Sequence, residues 1–180
     1  MSHLLIVDFN DQYHAIKRLW GNRSMNVKAL LKLFPEADKL IAVAKAPNAE
    51  VVKRFDQMLK HYGFDTSYLL GSPAWQTCTA LMIQRILEAL NDDHFEVRIK
   101  KVIVVTGSRD ACYIKQIVQS YRPHPDARYP NTYHECQIIG FSEVEWIPQL
   151  PVSVITPVPL SHVLGVEHVI DLEDFTDHAE

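Results

Sequence analysis

Two apolar runs limit what this chain can fold into more than any other feature. Leu4-Leu5-Ile6-Val7 and Val102-Ile103-Val104-Val105 are continuous rather than alternating. A short unbroken run of branched apolar residues, bounded by turn chemistry, suits a buried strand. Each run stops abruptly, the first at Asp8-Phe9-Asn10-Asp11 and the second at Thr106-Gly107-Ser108-Arg109-Asp110. In an open parallel sheet, ligands sit beyond the carboxyl ends of the strands. Two such ends bearing Asp gather carboxylates around one cleft. Close carboxylates repel, so a cleft of this kind calls for a cation such as magnesium.

Helical periodicity fills the intervals between strands. Residues 11–20 place Tyr13, Ile16, Leu19 and Trp20 on one side of a helix, with Asn10 or Asp11 as its cap. Ser24 or Asn26 caps a second helix through Leu33, with Val27, Leu30, Leu31 and Phe34 as its apolar face and Pro35 as its end. Residues 39–44 read as a strand. Pro47 opens a helix to about Tyr62 that turns Val51, Val52, Phe55, Met58 and Leu59 inward, and Gly63 is its natural C-cap. A strand at 64–70 and a turn at 71–73 follow. The next helix spans 75–90, with Leu81, Met82, Ile86, Leu87 and Leu90 as its stripe. After the strand at 101–105, residues 110–121 form a helix that buries Cys112, Ile114, Ile117 and Val118. The prolines of 122–135 predict an irregular loop. A strand at 137–140 and short strands or docking segments at 152–155 and 169–172 complete the chain.

Strand, helix and strand in alternation predict a three-layer α/β/α sandwich with a mostly parallel central sheet, because parallel neighbours need crossover helices. The length of 180 residues predicts one domain, with a core at about 4–140 and an acidic segment at 141–180 docking on it. No apolar run approaches the length of a bilayer span. Met1-Ser2-His3 lacks the basic start of a signal peptide. Cys78, Cys112 and Cys136 are odd in number and form no CxxC pair, which predicts reduced thiols in a cytoplasmic setting. Residues 1–60 carry ten Lys or Arg against six Asp or Glu, whereas 137–180 carry no Lys or Arg and eight acids. The basic first third can face a phosphate backbone, and the acidic end repels one.

Leu5-Ile6-Val7-Asp8-Phe9-Asn10-Asp11-Gln12-Tyr13 resembles the opening strand and Asp-x-x-Asn turn of PIN-like nucleases, the superfamily of the NYN ribonucleases and the replicative 5′-nucleases. Val104-Val105-Thr106-Gly107-Ser108-Arg109-Asp110 is similar to the family's second acidic turn, a hydrophobic residue, Thr or Ser, Gly, Asp, any residue, Asp. Residues 63–90 have the layout of its third strand, turn and acidic helix start. The resemblance covers roughly 4–120, with a weaker match to a closing strand near 152–158 and 169–172. It implies a metal-dependent phosphodiesterase scaffold using Mg2+ or Mn2+. Asp8 matches the first metal-binding carboxylate, and Asp110 matches the second acid of the second turn. Asp11 falls where the family has Asn, and Ser108 falls where an acid belongs. Around Thr77, Cys78 and Thr79 the family has one or two acids, and this chain has none. Two-metal cleavage needs several carboxylates. Asp8 and Asp110, with Asp11 near, suffice for one ion. The chain is too short to hold the helical DNA-binding region of the replicative nucleases, so the resemblance points to the NYN-like type.

Around those acids, Thr106, Ser108 and Arg109 are candidate phosphate contacts at a helix start. His14, Lys17, Arg18, Arg23 and Lys28 are candidates for a nucleic-acid track, RNA before DNA, with Tyr13 and Trp20 close by for stacking. The same pattern also describes an amphipathic helix with core aromatics. Asp8, Asp11 and Asp110 equally suit helix capping. The loop residues Arg122, His124, Arg128, Tyr129, Tyr133 and His134 mix cations with aromatics, which suits RNA or a protein partner. The apolar, proline-rich 148–164 suits self-association. His124, His134 and Cys136 match no zinc-finger spacing. The absence of Gly-x-Gly-x-x-Gly excludes a standard dinucleotide fingerprint. Two functions remain: a metal-dependent ribonuclease with a reduced carboxylate site, or a catalytically inactive PIN-like domain that binds RNA or protein.

Overall fold

The first strand, β1 (Ser2–Asp8), is buried along nearly its whole length in the computed structural model of the protein. The structure describes residues 2–10, 23–25, 27–73, 75–92, 98–106, 110–126, 133–139 and 176–178, with 23–25 and 176–178 described by their backbone. After β1 come β2 (Arg23–Met25), α1 (Val27–Lys32), β3 (Ala37–Ala46), α2 (Ala49–His61), β4 (Asp65–Leu70) and α3 (Thr79–Leu90). β5 (Ile99–Val105), α4 (Ala111–Ser120), β6 (Glu135–Ile139) and β7 (Thr176–His178) follow.

Five strands form one sheet in the order β4-β3-β1-β5-β6, and every pairing in it is parallel. The expected α/β sandwich is therefore what the chain forms. Alternation along each strand sends side chains to two layers. Leu5, Val7, Ala42, Ala44, Ile103 and Val105 pack with Val27 and Leu30 of α1 and Leu59 of α2. Leu4, Ile6, Ile41, Val43, Val102 and Val104 pack with Met82 and Ile86 of α3 and Ile114 and Val118 of α4. Helices thus cover both faces, which is why the strands read as unbroken apolar runs. β2 and β7 make a separate antiparallel pair, from Arg23 opposite His178 to Met25 opposite Thr176.

Local chemistry accounts for the helix ends. Asn48 caps α2 through its Oδ1, which accepts from the Val51 N–H at 3.1 Å. Gly63, at φ +89°, closes α2 with two bonds, Gly63 N–H to Lys60 O at 3.0 Å and Phe64 N–H to Leu59 O at 3.1 Å. That is the paired 5→2 and 6→1 pattern of a Schellman end, sealed here by burial of Phe64 and Leu59 in one cluster.

Several expectations are corrected. Val51 is 63% exposed, because it lies in the first turn of α2, whose buried residue is Leu59. Trp75 is not helical. α3 starts four residues later, after a turn in which the Gln76 N–H bonds Pro73 O at 3.1 Å. Ser24 belongs to β2, so it cannot cap α1. The last sheet strand begins at Glu135, and His134 just before it is buried. The expected helix at 11–20 and strands at 152–155 and 169–172 lie outside the described residues.

Candidate functional site

Strand order reverses at β1. In this sheet β3 and β4 lie to one side of β1, and β5 and β6 lie to the other. An open parallel sheet has its crevice at such a reversal, beyond the carboxyl ends. Register places Val7 opposite Val105, so Asp8 and Thr106 are neighbours at this point. By alternation both follow Ile6 and Val104 onto the α3/α4 face. Asp8 is 1% exposed and Thr106 fully buried.

Both oxygens of Asp8 are engaged. Oδ1 accepts from the Asn10 N–H at 3.0 Å, the bond an N-cap carboxylate makes to the helical turn that starts at Phe9 and Asn10. Oδ2 accepts from Thr106 Oγ1 at 3.3 Å. The Thr106 N–H in turn donates to Ile139 O at 3.0 Å, so three strand ends are tied together. A carboxylate oxygen accepts up to two bonds. A cation at Asp8 must therefore share oxygens that already serve the protein.

Asp110 stands at the N-cap of α4 without capping it. Its backbone (φ −85°, ψ 5°) is not the extended form that lets a cap side chain reach back, and no cap bond forms. The Tyr113 N–H takes the Asp110 carbonyl instead, at 3.0 Å. The chain joining Thr106 to Asp110 keeps the two Cα atoms within about 14 Å. Asp8 and Asp110 thus share the carboxyl edge of the sheet. Neither α3 nor α4 has an acid in its first turn. The positive end of α3 therefore meets this edge without a carboxylate of its own, whereas α4 starts with Asp110 at its N-cap. At the start of α3, Thr77 Oγ1 donates to Thr79 Oγ1 at 3.1 Å, and Cys78 is buried.

Among the described residues, no three His, Cys, Asp or Glu side chains group closely enough to hold a metal. Asp11, Lys17, Arg18, Ser108 and Arg109 lie outside the described residues, as do Arg128, Tyr129 and the segment 148–164. Arg23 is placed by its backbone in β2. His134 lies at the opposite, amino edge, where Nδ1 is 2.9 Å from Ile99 O. Burial lowers its pKa, and the nearby Arg98 and Arg122 lower it further. Burial also pushes the Cys136 thiol up to about 12, so it is a neutral side chain, not a nucleophile or thiolate ligand. In the loop, the Arg122 guanidinium lies 4.3 Å from the Tyr133 ring centre.

Lys45 is the residue that sequence reasoning missed. It extends β3 two positions past Val43, the register partner of Asp8, and its ammonium donates to Pro73 O at 2.7 Å and Gln76 O at 2.6 Å. The available signal was a lone charge inside the apolar stretch 40–46. No protein-family model matches the chain, and no curated protein does. Among solved structures, the chain is similar to the crystal structure of a protein of unknown function, VPA0982, from Vibrio parahaemolyticus. The match covers 98% of this chain and 96% of that one, with a TM-score of 0.58 and 15% identity. It is a likeness of fold. No described helix is long and apolar enough to cross a membrane.

Proposed function

We propose that this chain is a PIN-like, NYN-type protein that binds the phosphate backbone of RNA at the carboxyl edge of its sheet. On this reading any cleavage runs through one Mg2+ or Mn2+ held by Asp8 and Asp110. The observation that carries it is the buried Asp8–Thr106 pair at the strand reversal, where ligands of such sheets bind. The start of α3, which carries no acid, adds local positive potential for a phosphate. On this reading Asp11 assists the ion, and Thr106, Ser108, Arg109, Lys17, Arg18 and Arg23 are the candidate contacts to the RNA backbone. The three cysteines are free, in keeping with a cytoplasmic protein.

The carboxylates suit one ion rather than two, since Asp8 already accepts two internal hydrogen bonds. That same engagement favours a second reading, an inactive PIN-like domain that binds RNA without cutting it. Manganese titration with magnetic resonance detection separates the two. The first reading expects a site that Asp8→Asn weakens, together with chelator-sensitive cleavage of single-stranded RNA. A protein that binds RNA but takes up no manganese at millimolar concentration belongs to the second reading. Failure to bind single-stranded RNA at low salt removes both.

A further inference from the structure

Trp75 is the most exposed large apolar side chain among the described residues, at 82%. An indole is a large apolar surface, and leaving it in water forgoes the stabilisation that burial would give. Yet its backbone is held unusually firmly. The Gln76 N–H closes the turn onto Pro73 O at 3.1 Å. Lys45 binds the carbonyls on both sides of Trp75, those of Pro73 and Gln76, at 2.7 and 2.6 Å. The Gly71 N–H ties the start of the segment to Ala46 O at 2.8 Å. Immobilising a lysine costs the rotamer entropy of a long, flexible side chain. The molecule thus uses a partly buried ammonium to hold still a turn whose side chain buries little.

The place of this turn suggests its use. Strand spacing and rise put the Lys45 Cα roughly 8 Å from that of Asp8, on the same face of the sheet. The turn that Lys45 grips therefore lies along the carboxyl edge, on the side toward the edge strand β4. Adjacent stacked bases are about 3.4 Å apart along a strand. A strand that crosses the carboxyl edge above Asp8 brings a base to Trp75 within a few nucleotides. We propose that Trp75 is a stacking platform for a base of single-stranded RNA, and that Lys45 is the positioning residue that presents it. The proposal rests on the RNA reading above and adds a binding element that tolerates any base, because every base offers a π-face. Lys45 acts through the turn rather than on a phosphate, since its ammonium is already directed at carbonyls.

The test is binding of a short fluorescent uridine oligonucleotide to the full chain, followed by anisotropy across a salt series. Trp75→Ala should weaken binding about tenfold, within the range for loss of one stacked base. Its salt dependence should stay unchanged, because no phosphate contact is lost. Trp75→Phe should recover most of the affinity. Lys45→Met should weaken binding less, also without changing the salt dependence, and should add nothing to Trp75→Ala in the double variant. Oligonucleotide should quench the tryptophan fluorescence of the intact protein. That quenching should fall in Trp75→Ala although Trp20 and Trp146 remain. A Trp75→Ala protein that binds as tightly as the intact one overturns the platform and leaves the RNA reading standing, with Trp75 then free to serve a protein partner. If no variant and not the intact chain binds, the RNA reading fails and the platform fails with it.

Discussion

The two edges of the central sheet each bury a polar side chain, and they treat it differently. At the carboxyl edge, Asp8 is surrounded by donors, the Asn10 N–H and the Thr106 hydroxyl. At the amino edge, His134 is 7% exposed, directs Nδ1 to the Ile99 carbonyl and leaves Nε2 buried with no hydrogen-bond partner. Helix starts converge on the first edge and helix ends on the second. The dipoles alone would favour an anion at Asp8 and a cation at His134. At the first, the molecule supplies donors to both carboxyl oxygens. At the second, burial together with Arg98 and Arg122 outweighs the hydrogen bond to the Ile99 carbonyl and disfavours the charged imidazole. One edge thus surrounds its polar group with donors, and the other disfavours charge on its own.

Removing the Asp8 carboxyl group should have the largest effect. Asp8→Ala strands one buried and one part-buried donor, and urea unfolding should show a loss of about 3 kcal/mol. A loss below about 1 kcal/mol would mean that Asp8 is not the organising group of this edge. Thr106→Val removes one of those donors and keeps the shape, so the same measurement should give about 1 kcal/mol.

The amino edge is tested by pH. The folded pKa of His134 lies below its unfolded value near 6.5, so the neutral form is favoured in the fold. Its contribution to stability is complete above that unfolded value and is lost as pH falls through it toward the folded pKa. Thermal unfolding from pH 8 to pH 5 should therefore show stability falling, with a slope that His134→Gln reduces. An unchanged slope in the variant would assign the pH dependence to other groups. The smallest effect belongs to Val51→Ser, on the exposed side of α2. Its stability should stay within about 0.5 kcal/mol of the parent. A larger loss would show that this side of α2 is covered.

Much of the fold was legible because its signals are local. The runs at 4–7 and 102–105 announce strands buried on both faces, and β1 and β5 are such strands. Gly63 announced the end of α2 because a positive φ is costly for any residue with a Cβ. Val51 misled because helical periodicity identifies an apolar stripe without showing how far the neighbouring layer extends over it. Trp75 misled for a related reason. A large apolar residue next to a helical stripe looks like part of it, and only the Lys45 bonds to Pro73 and Gln76 show that the turn continues past it. Asp110 suited helix capping as well as metal binding by its position, but capping also requires an extended backbone that this residue lacks.

The amino-acid order by itself determined where the strands of the central sheet and the helices covering them fall, because both periods arise from side chains only two to four positions apart. It also placed an acid at the end of β1. Only the tertiary structure decided that Asp8 would meet Thr106, 98 positions away, that Lys45 would reach across to Pro73, and that His134 would be buried with its Nδ1 on the Ile99 carbonyl. Those outcomes depend on the order in which strands join the sheet. That order is selected by the burial of whole faces rather than by any residue at the edges.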